Sequence, residues 1–183
     1  MLKFRGFTLP ELMVVVAIMG ILAAVALPSF KGLIQSNTIS SSVNIFMADL
    51  RYARSESIKR GGGVVMCRSD TPEATNPTCG KGSTHGWESG WIIFHDLDNS
   101  GKKAKTETTL RVQGPISSID TIKESGAATV FKFTATGRLV NLASGGTTIT
   151  FGGPNYANAV QRTVCVSMGG RVRVAGDANA PCQ

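Results

Sequence analysis

The pattern of hydrophobic and polar positions divides the chain into three stretches. Residues 12–27 form an apolar run without a charged side chain. Between residues 43 and 58, apolar side chains recur at steps of three and four, a period that predicts one buried face of a helix. Gly61, Gly62 and Gly63 follow, and such a run of glycine ends a helix. The sequence therefore predicts one long N-terminal helix, uncharged in its first half and amphipathic in its second.

From residue 64 onward, short runs rich in Val, Ile, Thr and Phe alternate with Gly, Asn, Asp and Ser. This pattern predicts β-strands, and the candidate runs are VVMCR, GWIIFHD, TTLRVQ, TVFKFT, GRLVNL, TTITF, RTVCVSM and GRVRV. Two turns, TATGRLV and SMGGRVRV, echo each other without establishing a repeat. The polar stretch 68–88 predicts a surface loop. We expect an α+β fold, with mostly antiparallel sheets packed on the amphipathic half of the helix.

Composition adds a basic bias to this picture. The length of 183 residues suits one compact domain plus a segment outside it. The 19 Lys and Arg residues against 12 Asp and Glu give a formal net charge of +7. This balance permits an acidic partner, either nucleic acid or anionic lipid, without identifying one.

The four cysteines lack the CxxC spacing and the clustered histidines of zinc sites. An even number behind an export segment favours two disulfides formed in an oxidising compartment. Three pairings are possible, and we favour the two local ones, Cys67 with Cys79 and Cys165 with Cys182. Buried free thiols are the alternative, but neither Cys79 nor Cys182 lies in an apolar stretch.

Glu11 is a single acid at the head of the apolar run. A secretory signal peptide would explain the basic start, but no small-x-small cleavage site follows Leu27. An ordinary membrane anchor needs about 20 apolar residues, which is more than this run offers. Cleavage between Gly6 and Phe7 would create a new amine four residues before Glu11. An acid in an apolar segment is tolerated when it is paired, so Glu11 indicates a function.

The segment GFTLPEL at residues 6–12, the charge-free helix after it and then Pro28 resemble the class III signal of type IV pilins and pseudopilins. The resemblance implies that a prepilin peptidase cuts after Gly6 and methylates Phe7. It also implies that Glu11 pairs with the N-terminal amine of a neighbouring subunit in the filament. Pro10 departs from the aliphatic residue of many pilins, but a first-turn proline gives up only an N–H that lacks an intrahelical partner.

The resemblance also implies a division of the chain and its place in the cell. Residues 1–6 would be the removed leader, and residues 7–34 the hydrophobic helix. The globular head would span 35–183, with an amphipathic helix at 35–60 and a β-rich region at 64–183. We expect the hydrophobic half to lie in the bacterial inner membrane, with the head in the periplasm, and then in the core of a pilus at the cell surface.

Signals for catalysis are weak. The sequence contains no GxSxG, Walker or HExxH motif, and His85 and His95 stand apart without a nucleophile. We therefore predict neither an enzyme nor a bound cofactor.

The segment that starts at Asp96 and ends at Glu107 matches the ligand spacing of an EF-hand calcium loop. A strand precedes it instead of a helix, and three lysines, Lys102, Lys103 and Lys105, add positive charge inside it. We favour a turn built from Asp, Asn and Gly, with calcium binding as the alternative.

The C-terminal segment Gly170-Arg171-Val172-Arg173 places two arginines at alternate positions. On a strand, Arg171 and Arg173 would share one face about 7 Å apart, with Val172 and Val174 directed to the core. This spacing is similar to that of successive phosphates along a nucleic acid strand. Weaker candidates to extend the surface are Arg162, Lys102, Lys103 and Lys105.

Taken with the leader and the cysteine-bearing β head, this motif makes the chain similar to the GspH/FimT group of minor pilins and pseudopilins. It is most similar to the FimT branch, whose C-terminal GRxR motif is implicated in DNA binding during natural transformation. The resemblance implies a minor pilin that binds DNA without sequence specificity at a type IV pilus. The alternative is a structural pseudopilin of a type II secretion system.

Overall fold

The computed structural model describes residues 8–80, 85–140, 142 and 145–182, and at residues 25–29 only the helical backbone. A long helix, α1, runs from Leu9 to Arg60 and contains 52 residues, which corresponds to about 78 Å at the usual rise per residue. Thr8 precedes it, and the Thr8 N–H and hydroxyl both donate to the Glu11 carboxylate, at 3.3 and 3.1 Å. This arrangement is a capping box, which satisfies donors that the first helical turn leaves open.

The helix ends where the glycine run begins, as predicted. Gly61 adopts a left-handed conformation with φ +77°, and the Gly62 N–H donates to the Ser57 carbonyl at 2.7 Å. A left-handed glycine of this kind is a frequent end of an α-helix. Within the described residues, no helix has both the length and the apolar character needed to cross a membrane.

Eight strands follow the helix in the described chain. They are β1 (Val64–Arg68), β2 (Trp91–His95), β3 (Thr109–Gln113), β4 (Thr121–Glu124), β5 (Val130–Phe133), β6 (Gly146–Gly152), β7 (Arg162–Ser167) and β8 (Val172–Gly176). A short 3-10 turn at Trp87–Ser89 precedes β2. The strands form two four-stranded sheets, in the orders β3-β2-β1-β5 and β4-β6-β7-β8, and every neighbouring pair is antiparallel. The predicted α+β fold is confirmed.

The core lies between the second half of α1 and the two sheets. Phe46 of α1 is fully buried, and its ring meets Trp87, Trp91 and Phe151 edge-on at centroid distances of 5.5, 5.1 and 5.5 Å. Aromatic pairs in this geometry stabilise beyond the burial of their area. The other buried apolar residues of this helix face are Ile39, Val43, Met47, Leu50 and Ala53. Their spacing is the one from which the amphipathic half was predicted.

Two strand predictions were wrong. The run GRLVNL forms no strand in the described residues; Leu139 makes only an isolated bridge to Phe133. Strand β4 was not predicted, because its residues TIKE contain one apolar side chain. Ile122 is that side chain, and it is fully buried.

Both disulfides have the predicted pairing. Cys67 bonds to Cys79, and Cys165 bonds to Cys182, with Cα atoms 5.5 Å apart in each bridge. Cys67 is fully buried in β1, so the first bridge anchors the long loop after β1 to the interior. The second bridge closes a loop that contains all of β8.

Candidate functional site

The hairpin between β7 and β8 presents the GRVR segment at the edge of the second sheet. The Ser167 N–H donates to the Arg171 carbonyl at 3.0 Å, and the Gly170 N–H donates to the Ser167 carbonyl at 2.8 Å. The Ser167 hydroxyl accepts from the Arg171 N–H at 3.3 Å. These bonds fix the backbone of the turn, and therefore the position from which the Arg171 side chain projects.

Gly170 is required by both conformation and space. Its φ of +71° is one that L side chains rarely adopt. A Cβ added there would collide with the Gly137 carbonyl oxygen and approach the Arg54 Cδ to 3.2 Å. The glycine of the motif therefore allows the turn to pack against the rest of the head.

The two arginines of the motif are exposed, and Val172 between them packs against the core. Val174 does not point into the core as predicted, because its side chain is 43% exposed. The register of β7 with β8 shifts at Thr163/Val164, close to Val174 at the outer edge of the sheet. The alternation that separates the arginines from the core thus holds for Val172 only.

A shallow groove of about 760 Å³ runs beside the arginines on this face. Arg173 lies opposite Cys165 in the strand register, and Cys165 lies opposite Thr148. Arg171, Ser167 and the Cys165–Cys182 bridge also line the groove. None of the described lining residues is a carboxylate. The groove therefore offers cations and hydroxyl groups, a composition suited to phosphate oxygens.

A second turn, at residues 134–138, repeats the geometry of the hairpin. The Thr134 N–H donates to the Arg138 carbonyl at 2.8 Å, and the Gly137 N–H donates to the Thr134 carbonyl at 2.8 Å. The Thr134 hydroxyl accepts from the Arg138 N–H at 3.1 Å, and Gly137 has a φ of +72°. Both turns have the form Ser/Thr-x-x-Gly-Arg and end in an exposed arginine. Arg138 was not among the predicted site residues, although the echo of the two turns was visible in the sequence.

The loop after β2 carries Lys102, Lys103 and Lys105, and its acids are used internally. Asp96 accepts from the Ser100 and Gly101 N–H groups at 3.0 and 2.9 Å. Lys102 and Lys105 are exposed, while the Lys103 ammonium donates to the Ala104 carbonyl at 2.6 Å.

The carboxylate oxygens of Asp96, Asp98 and Glu107 lie within 4.8 Å of one another, as the calcium alternative requires. However, Glu107 accepts from the Leu97 and Ala104 N–H groups, each at 2.8 Å. The Lys132 ammonium lies 3.4 Å from Asp96. Hydrogen bonds from Ser100 hold the pKa of Asp98 below its ordinary value. These contacts close the turn through its own backbone and a lysine, and calcium binding stays the alternative.

Arg162 is placed away from the other candidates. It begins β7, whereas the GRVR hairpin follows the end of that strand, a separation of about 17 Å along the strand. Its guanidinium donates to the Ala159, Val160 and Gln161 carbonyls at 2.7, 3.1 and 2.9 Å. Arg162 thus closes its own turn, and the structure does not bring it to the arginines of the motif.

The predicted processing residues, Gly6 and Phe7, lie outside the described residues. Glu11 is exposed on the first turn of α1, and within the single chain it bonds Thr8. Its predicted pairing with the amine of another subunit would replace or add to this contact.

A long N-terminal helix whose second half packs on an antiparallel β head defines the class of pilin-like proteins. The chain belongs to the family described as Type II transport protein GspH, whose family model matches residues 42–170. The prokaryotic N-terminal methylation motif matches residues 1–27.

Several known proteins are similar to this chain. A fimbrial protein of Pseudomonas aeruginosa is 34% identical over 125 residues, which are 68% of this chain and 72% of that protein. The type IV major fimbrial protein FimA of Dichelobacter nodosus is 38% identical over 78 residues, 42% of this chain and 48% of FimA. The crystal structure of the type IV minor pilin FimU of Pseudomonas aeruginosa has a TM-score of 0.59 at 24% identity. That match covers 79% of this chain and 93% of FimU.

These findings define a structural protein that resembles minor type IV pilins and pseudopilins.

Proposed function

We propose that this protein binds DNA, without sequence specificity, as a minor pilin of a type IV pilus that takes up DNA in natural transformation. The observation that carries the proposal is the pair of exposed arginines beside a groove with no carboxylate in its described lining. Arginine offers planar donor groups that match phosphate oxygens. No recognition helix or platform of exposed aromatic rings is present among the described residues, which favours backbone contacts over reading of bases.

Processing is part of the same proposal. A prepilin peptidase would cut after Gly6 and methylate Phe7, in accordance with the N-terminal methylation motif. The chain would then wait in the inner membrane, with its head in the periplasm, until it joins the pilus. The large apolar side chains that stay exposed between Leu9 and Leu22 require a covering environment, which the membrane and then the filament core would provide.

The second candidate function is that of a structural pseudopilin in a type II secretion filament. It is supported by the family description, Type II transport protein GspH. In that role the exposed arginines would be a solvated strand face, and DNA affinity would not depend on them.

The test compares the full-length protein in non-ionic detergent with its Arg171→Gln/Arg173→Gln variant. Duplex DNA of several unrelated sequences is titrated at a series of salt concentrations. We expect equal affinity for all sequences, in the non-specific range of roughly 10⁻⁴ to 10⁻⁶ M, and a log–log salt slope of about −0.9 per phosphate engaged. The variant should bind more weakly, with a flatter slope, and should abolish DNA uptake by the bacterium while pili still assemble.

The matched control is Lys31→Gln/Lys123→Gln, which removes the same charge from two other exposed positions. Lys31 lies on α1, and Lys123 lies on β4 at the far edge of the second sheet. This control should bind and transform like the parent. If the arginine variant also did so, the DNA-binding proposal would fail and the secretion role would take its place.

A further inference from the structure

We propose that Arg138 is a third phosphate-contacting arginine, and that its turn joins the GRVR hairpin and the lysine loop into one DNA-binding tract. The tract consists of the loop 96–107, the turn 134–138 and the hairpin 167–173. This inference rests on the proposed function, because it extends the surface that the GRVR arginines would form.

The two Ser/Thr-x-x-Gly-Arg turns pack directly on each other. The Leu139 N–H donates to the Met168 carbonyl at 2.9 Å. The Gly137 carbonyl lies where a Cβ on Gly170 would be. Arg138 and Arg171 each follow one of these glycines, so their main chains are held side by side.

The arginine at the end of each turn points outward. Leu139 is buried, with 2% exposure, and bridges to Phe133, so the residue before it faces outward. Val172 packs against the core in the same way, and Arg171 before it is exposed. Arg138 is exposed as well. Two equivalent turns thus present two outward arginines on one end of the head.

A positively charged side chain lies beneath both turns. Arg54 of α1 passes under both glycines: a Cβ on Gly137 would lie 2.9 Å from the Arg54 Nε, and one on Gly170 3.3 Å from it. The Arg54 Nε is buried and has no hydrogen-bond partner. Among the described residues, Arg54, Arg138 and Arg171 form no salt bridge, whereas Arg60 and Arg111 are paired with Glu56 and Asp49. Charge that no carboxylate offsets raises the local potential and attracts a polyanion.

The lysine loop follows β2 and the turn follows β5, and both strands end beside the start of β1, so the loop lies at the same end of the first sheet as the turn. Lys132, two residues before Thr134, donates to the Asn99 carbonyl at 2.7 Å and pairs with Asp96. The glycines after α1 complete the contact, since a Cβ on Gly62 would lie 3.2 Å from the Ala135 nitrogen. The turn 134–138 is therefore the middle segment, between the exposed lysines of the loop and the arginines of the hairpin.

The DNA backbone is the occupant that this arrangement fits. Three neighbouring segments with positive charge can contact several phosphates of one DNA molecule, and each contact adds to the salt dependence of binding. Serine and threonine hydroxyls within the turns are committed to their own backbone, so the charged groups are left to provide the contacts.

The experiment measures salt slopes for the full-length protein in detergent with duplex DNA. Arg138→Gln should lower the steepness of the log–log slope by about 0.9, the value for one phosphate. Arg138→Lys should restore most of it, because the charge is kept. Lys123→Gln is the control and should leave the slope unchanged. The backbone bonds of the turn do not involve the Arg138 side chain, so circular dichroism melting should be the same for all variants.

The outcomes separate this inference from the proposed function. If Arg138→Gln keeps the parental slope while Arg171→Gln/Arg173→Gln flattens it, the tract does not extend beyond the hairpin and the inference is overturned alone. If neither variant changes the slope, the proposed function fails as well. Tighter binding of polyglutamate than of duplex DNA would assign the tract to an acidic protein and also overturn the inference.

Discussion

The absence of a side chain at Gly170 determines the position of Arg171. The residue combines a left-handed backbone with a contact to the Gly137 carbonyl, and its neighbour Gly169 has neither constraint. A Cβ on Gly169 would meet only the Ser167 hydroxyl oxygen, at 3.7 Å. The two adjacent glycines therefore offer a comparison in which the chemical change is the same and the surroundings differ.

We expect Gly170→Ala to lower the free energy of unfolding by about 1–3 kcal/mol, the usual cost of holding a residue in a disfavoured conformation. It should also weaken DNA binding, because the turn that positions Arg171 must shift. Gly169→Ala should change the free energy of unfolding by less than about 0.5 kcal/mol, as is usual for surface substitutions. Urea unfolding followed by circular dichroism measures both values. Equal destabilisation by the two variants would contradict the role given to Gly170.

At the scale of elements, the edge strand β8 depends on the bridge that follows it. It pairs with β7 on one side only, and the Cys165–Cys182 bond closes a loop around it. A disulfide with this separation of 17 residues stabilises by about 3 kcal/mol on a chain-entropy estimate. Since Cys165 lies opposite Arg173, this stabilisation acts where the arginines proposed to bind DNA are placed.

Removal of this bridge by Cys165→Ser/Cys182→Ser should lower the free energy of unfolding by about 3 kcal/mol and reduce DNA affinity in the folded protein. The Cys67→Ser/Cys79→Ser variant is the comparison. It should destabilise at least as much, because Cys67 is fully buried, but it should leave the salt slope of DNA binding unchanged. Identical effects of the two variants on DNA binding would show that β8 needs no bridge to present its arginines.

An element could be predicted when the residues that determine it are neighbours in the chain. The end of α1 was predicted because Gly61 acts within its own turn. The run GRLVNL has the alternation of a strand, but the Leu139 backbone makes a single bridge to Phe133 and donates to the Met168 carbonyl. Met168 comes close only in the folded chain. Strand β4 has the reverse property: its single core residue, Ile122, gives too weak a pattern to be seen in the sequence.

The site residues that are close in the chain could be predicted from the sequence, whereas those brought together by folding could not. Arg171 and Arg173 could be proposed because they are separated by one residue in the chain and are recognisable as a motif. The position of Arg138 beside them depends on the packing of two turns separated by more than thirty residues, a contact that spacing alone does not reveal. Arg162 was proposed from its charge, and only the structure shows that its Nη1 donates to three backbone carbonyls.

At the scale of the whole molecule, Glu11 and the proposed DNA-binding tract lie near opposite ends of α1. Glu11 is in the first turn of the helix, whereas Arg54, beneath the tract, is close to its last turn. The separation is about 65 Å along the helix axis. Changes at Glu11 should therefore affect assembly without altering the surface proposed to bind DNA.

We expect Gly6→Val to block processing, and Glu11→Ala to permit it but to reduce incorporation into pili. Glu11→Gln separates the two roles of this side chain, since glutamine can still cap the helix with Thr8 but carries no charge for a neighbouring amine. Pili sheared from the cells and probed for the protein give the measurement. Normal incorporation of Glu11→Ala would contradict the assembly role, and normal incorporation of Glu11→Gln alone would assign the defect to helix capping.

The loop closed by Cys165–Cys182 has a mechanical consequence. If the protein binds DNA as proposed, a retracting filament would pull on the arginines that hold the DNA. An edge strand under such a load would otherwise separate from its sheet one hydrogen bond at a time. Here the segment 165–182 is closed by the Cys165–Cys182 bond. A force on Arg171 or Arg173 is therefore transmitted to the inner strand β7 through covalent bonds. In the proposed function, the contacts with DNA would then break before the head unfolds, and the subunit would stay intact.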